Sequence, residues 1–96
     1  MKKEEFKEFI RKYDKGNIIF SYHYTKERED ARFLKEQVLE ALLTKSVLNI
    51  KEKEDNTIKL WLEFDENHDM VIILKILNEK IKIITTFPQR IERRPK

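Results

Sequence analysis

The segment Ile58-Lys59-Leu60-Trp61-Leu62-Glu63-Phe64 alternates along its length, so Ile58, Leu60, Leu62 and Phe64 share one side of a strand and Lys59, Trp61 and Glu63 the other. The period of two continues on both sides of it. Val47 to Lys51 reads as a short strand followed by a polar turn, Glu52 to Asn56. Asp65-Glu66-Asn67-His68-Asp69 has the composition of a hairpin loop. Met70 to Leu77 is apolar except at Lys75, as expected of a central strand covered on both faces. Asn78-Glu79 turns the chain into Lys80 to Phe87, and Pro88, which has no N–H for a ladder, is expected to end that strand. Four strands in meander order result.

Upstream the period lengthens. Phe6, Phe9, Ile10 and Tyr13 lie at i, i+3, i+4 and i+7, which predicts an amphipathic helix from Lys2 to Lys15, stopped by Gly16-Asn17. Ile18 to Tyr24 predicts a short strand, with Ile19, Ser21 and His23 on one side and Phe20, Tyr22 and Tyr24 on the other. Thr25 suits the N-cap of a helix through Glu27, Arg28 and Ala31. Leu34, Val38, Leu39, Leu42 and Leu43 form the apolar stripe of a further helix, Leu34 to Lys45. Helices followed by a meander predict an α+β fold, N-terminal helices packed on one face of a four- to five-stranded antiparallel sheet.

The chain has 96 residues, the size of a single domain, here expected over residues 1–88 with a basic C-terminal tail over residues 89–96. Charged residues make up 41% and hydrophobic ones 40%, and the apolar residues fall in periodic clusters, which separates this composition from that of a disordered chain. Lys, Glu and Ile are frequent and Gly occurs once, a bias shared by some thermophile proteins and by AT-rich genomes. Cysteine is absent, so disulfides, thiolate nucleophiles and cysteine-based zinc sites are excluded. Two histidines alone make no zinc site, and no metal or other cofactor is expected. With a charged start and no apolar run near 18 residues, neither a signal peptide nor a membrane span is expected, and the location expected is cytoplasmic.

The net charge of +3 is unevenly placed. Residues 47–86 carry six basic and eight acidic groups, whereas residues 87–96 carry four and one. The cations Arg90, Arg93, Arg94 and Lys96 suit phosphate contacts, and equally a solubilising tail. Tyr22, Tyr24 and Trp61 are candidates for stacking on bases or for covering a sheet edge.

Two segments carry a resemblance: Ser21-Tyr22-His23 entering a helix, and Ile83-Ile84-Thr85-Thr86-Phe87-Pro88 closing the sheet. Together they resemble a family of small domains that open with Ser-x-His and close with an Ile-Thr-x-x-Pro-like strand. That family looks like a relative of the RelE and BrnT toxins and, more distantly, of the barnase, EndoU and colicin ribonucleases. The match runs from about Ile18 to Pro88. It implies a RelE-like, metal-independent ribonuclease or toxin in which sheet-borne groups help the ribose 2′-hydroxyl attack the adjacent phosphate. A small antitoxin protein is the partner such a toxin implies.

Carried over by position, His23 is the proton-transfer residue, Arg28 stabilises the phosphate, and Thr85 or Thr86 lines the site, Thr86 being the residue chosen. Lys26 and Arg32 join Arg90, Arg93 and Arg94 as RNA-binding residues. Family members commonly place arginines four and eight residues after the histidine; Glu27 and Ala31 stand there, with Arg28 and Arg32 each displaced by one, about 100° around a helix. A non-catalytic RNA-binding or protein-interaction module of the same fold is therefore the alternative. His23 also reads as a structural histidine, and Lys26, Arg28 and Arg32 as a solvated face beside Glu27, Glu29 and Asp30. His68 reads as turn material. Glu63, Asp65 and Lys75 have the residue types of a metal-nuclease set at a spacing that fits it poorly.

Overall fold

The computed structural model describes residues 1–13, 15–21 and 33–95, and every structural statement below concerns these. Their elements are helix α1 (Lys3–Ile10), a 3-10 turn (Lys15–Asn17), strand β1 (Ile18–Phe20), helix α2 (Lys35–Thr44), strands β2 (Val47–Glu52), β3 (Thr57–Glu63), β4 (His68–Leu77) and β5 (Lys80–Arg90), and a final 3-10 turn (Ile91–Arg93). The predicted continuation of β1 to Tyr24 and the helix beginning at Thr25 lie outside the described residues.

The strands form one sheet in the order β1-β5-β4-β3-β2. The four meander strands pair antiparallel, as their alternation predicts. β1 corrects the all-antiparallel expectation: it pairs with β5 in parallel, Ile18 opposite Ile81 and Phe20 opposite Ile83. A parallel neighbour requires a long connection. Here the chain passes from β1 to β2 at the opposite edge and returns through the meander, so β5 arrives beside β1 running the same way.

One side of the sheet is the core. Cross-strand partners share a face, and Ile50–Leu60–Ile72 and Leu62–Met70 are such sets, joined by Ile58–Leu74 and Ile76–Ile81. These residues share one apolar cluster with Phe6 and Ile10 of α1 and with Val38, Ala41 and Leu42 of α2. Lys7 Nζ donates to the carbonyl of Lys45, tying α1 to the end of α2.

α1 is shorter than its stripe predicts because its end tightens: Lys12 N–H bonds Phe9 O at 3.2 Å and Tyr13 N–H bonds Ile10 O at 3.1 Å, both spanning three residues. Phe9 and Tyr13 still pack together, ring centroids 5.0 Å apart. In α2 the stripe is narrower than expected. Leu43 is exposed, since one residue beyond buried Leu42 turns about 100° away. Leu34 is also exposed; it precedes the helix on extended backbone, and its N–H bonds Gln37 Oε1 at 2.8 Å.

A turn and a bulge help set the register. Asp55 and Asn56 have φ of 57° and 59°, and Thr57 N–H reaches Glu54 O at 3.2 Å, the two-residue turn of opposite hand that matches strand twist. Between β4 and β5 the pairing shifts, Ile73 facing Thr85 but Leu74 facing Ile83, so Ile84 is an extra residue on β5.

Pro88 does not end β5. The strand runs on to Arg90, with Pro88 opposite Met70, and His68 and Asp69 belong to β4 where a loop was expected. Beyond Ile83 no described strand pairs with the other edge of β5, so a missing N–H at residue 88 disturbs no ladder there.

Candidate nucleic-acid interface

The face of the sheet opposite the helices carries three rows of side chains. Lys51 stands opposite Lys59, followed across the sheet by Ile73 and Thr85. Alongside lies Asn49–Trp61–Val71–Phe87, and beyond it Glu63–Asp69–Gln89. At the other end of this face Lys75 stands opposite Lys82. Like charges directly opposed across strands destabilise a sheet, and here two such lysine pairs occupy one face. Departures of this kind are expected where a surface serves function.

The surroundings of Lys59 show how the charge is accommodated. Its ammonium lies 4.9 Å from the centroid of Trp61 and 5.9 Å from that of Phe87, within reach of both ring faces. Trp61 itself is 3% exposed, and its indole N–H donates to Gln89 Oε1 at 3.0 Å. Above this floor is a pocket of about 400 Å³ whose cations are Lys51, Lys53, Lys59 and Arg93, with Asn49, Gln89 and Pro95 supplying polar groups and one wall. That volume lies within the range of small-ligand sites.

The wall is made by the C-terminal residues, and it corrects the expected basic tail over residues 89–96. Gln89 and Arg90 belong to β5, and residues 91–95 fold back over the sheet. Ile91 N–H bonds Asn67 O at 3.0 Å, and Asn49 Nδ2 donates to Pro95 O at 3.4 Å. Between them Arg94 Nε and Nη2 each donate to Asp69 at 2.7 Å. Asp69 raises the proton affinity of Arg94 further above its ordinary value, chiefly through these bonds and against the cost of desolvation.

Of the residues predicted from sequence, His23, Arg28, Lys26 and Arg32 lie outside the described residues, as do Tyr22 and Tyr24. Arg93 and Trp61 come together in the pocket. Arg94 is bound to Asp69, and Arg90 is exposed beside Glu92, Nε to Oε2 3.2 Å. Thr86 stands opposite Ile72 on the helix side of the sheet, and Thr85 opposite Ile73 on the outer side, as alternation required. The structure therefore separates Thr86 from Arg93 by the thickness of the sheet.

Ser21, the described residue of the first motif segment, is bonded to the second. Ser21 N–H bonds Ile83 O at 2.8 Å and its hydroxyl donates to Ile84 O at 3.0 Å, so the start of the first motif abuts the second.

His68, read as turn material, is instead the first residue of β4: its Nδ1 lies 3.2 Å from Asp65 Oδ1, an oxygen that also accepts the N–H groups of Asn67 and His68. Glu63 and Lys75 do not converge. Their partners on β4 and β3 place them six residues apart along β4, about 20 Å. Among the described residues no group of three or more His, Asp or Glu could hold a metal ion, and no helix is long and apolar enough to cross a membrane.

Sequence reasoning missed Lys51, Lys53 and Lys59 as a set. Each is one lysine among many in the sequence, and the signal that unites them is the hairpin register set by Asp55-Asn56. Comparison with family models, curated proteins and solved structures finds no match to this chain. Chemistry must then be read from the side chains.

Proposed function

We infer that this protein binds single-stranded RNA on the outer face of its sheet, on a RelE-like scaffold. The observation that carries this reading is the convergence of Lys51, Lys53, Lys59 and Arg93 above Trp61 and Gln89. A sheet face that presents converging cations suits a single strand, whose phosphates such a face can follow. It suits a duplex less, because groove readout needs a protruding helix or ribbon. The family resemblance supplies the choice of RNA over DNA.

The test is fluorescence anisotropy with a labelled single-stranded RNA across a salt series. Four phosphate contacts give a log-log slope of about −3, near −0.7 for each. A slope near zero, or affinity unchanged on replacement of Lys51 and Lys59 by alanine, sinks the reading.

RNA cleavage is the second reading, favoured by the Ser21 bonds that join the two motif segments. In it His23 moves the proton and Arg28 steadies the phosphate, with a small antitoxin protein holding the enzyme inactive. Incubation with labelled RNA in EDTA, beside His23→Ala, decides it. Cleavage by the parent chain and none by the variant supports catalysis; intact RNA with both leaves the binding role.

A further inference from the structure

Asp69 is 1% exposed, and its two carboxylate oxygens receive the two N–H groups of one guanidinium fork. Paired bonds of this type set orientation as well as distance. Their position along the chain gives that orientation a consequence. Arg93 lines the cationic pocket, Arg94 holds Asp69, and Pro95 lines the pocket again. Three successive residues thus serve wall, anchor and wall. Asp69 in turn is a residue of β4 on the same face as Trp61 and Val71, so the anchor point belongs to the rigid sheet and not to a loop.

We propose that the Asp69–Arg94 pair is a positioning latch: it holds residues 91–95 across the sheet as a wall of the RNA pocket and so sets Arg93 against an RNA phosphate. The proposal rests on the RNA reading above. In it Arg94 is a positioning residue and makes no contact with the ligand, which reassigns a residue that the sequence placed among the RNA-binding arginines.

Asp69→Asn in the full chain separates this from simple electrostatics. The substitution removes a negative charge beside the binding face, so long-range attraction alone would tighten RNA binding. A latch requires the opposite: affinity about fivefold weaker at 0.1 M salt and a salt slope shallower by about 0.7, the equivalent of one phosphate contact. Arg94→Lys, which keeps the charge and loses the fork, should behave in the same way and carries the test if Asp69→Asn fails to fold. Arg93→Ala added to either variant should cost nothing further, because the contact is already lost. Trp61, the single tryptophan, reports the strap directly, and its emission should shift to the red in both variants.

Unchanged or tighter RNA binding by the folded variants, with the parent slope, overturns the latch while the RNA reading stands. So does a further additive loss with Arg93→Ala. No binding by the parent chain overturns the RNA reading itself.

Discussion

The two faces of this sheet are built from the same strands, residue by residue in alternation, yet they follow different rules. On the helix side Ile50, Leu60 and Ile72 stand in line beneath Phe6, Val38 and Leu42, and every neighbour satisfies the next by packing. On the outer side lysine opposes lysine twice, a buried carboxylate needs an arginine from the chain end, and a tryptophan is covered by a lysine and a glutamine. The first face is explained by burial alone. The second makes sense when an anion is part of the arrangement, and that difference is the basis of the functional reading.

The comparison can be attacked at its strongest point first. Leu60→Ala, on the fully buried side, should cost about 2–5 kcal/mol of stability by denaturant titration, through lost transfer energy and the cavity left behind. A loss under 1 kcal/mol would mean that the helix face is not the core. Lys51→Ala with Lys59→Ala should leave the fold intact and weaken RNA binding about 25-fold at 0.1 M salt, two contacts of about fivefold each. Equal affinity would remove the contrast between the faces.

Lys51→Glu sharpens the same contrast with one substitution. It turns an opposed like-charge pair into an attractive one, so stability should rise by roughly 0.2–1 kcal/mol while RNA affinity falls. A variant that loses stability would show that the pair is not strained.

The smallest effect concerns acid. The Asn67 N–H, foremost, holds Asp65 below its ordinary value of 3.8; desolvation opposes it, and the N–H and ring of His68 add to the lowering. A depressed carboxylate stabilises the fold fully above the unfolded value and loses that contribution as pH falls through the lower folded value. Wild type should therefore melt above Asp65→Asn at pH 6 by more than at pH 2. A constant difference across a pH series of melting temperatures would exclude the linkage.

Much of the architecture is legible in the residues, and the misses have definite causes. The alternation of Ile58 to Phe64 and the stripe of Phe6, Phe9, Ile10 and Tyr13 are local patterns, and local patterns state which side chains must be hidden. Pro88 misled because a proline penalty holds where a ladder bond is needed, and β5 has no described neighbour there on its far side. Residues 89–96 misled because their charge resembles that of a solvated tail; nothing local shows that Asp69, over twenty residues earlier, would engage Arg94.

Alternation by itself determined that Lys59 and Trp61 point away from the core, and that Thr85 and Thr86 point to opposite faces; Lys51 shares the face of Lys59 only because the register shifts between Val47 and Asn49. Which residues come together was decided only by the folded sheet: Lys51 against Lys59, Arg93 lining one pocket with Trp61, Arg94 on Asp69. The reason is physical. Period follows from the geometry of one strand, whereas register depends on the turn at Asp55-Asn56, the extra residue at Ile84 and contacts made between distant parts of the chain.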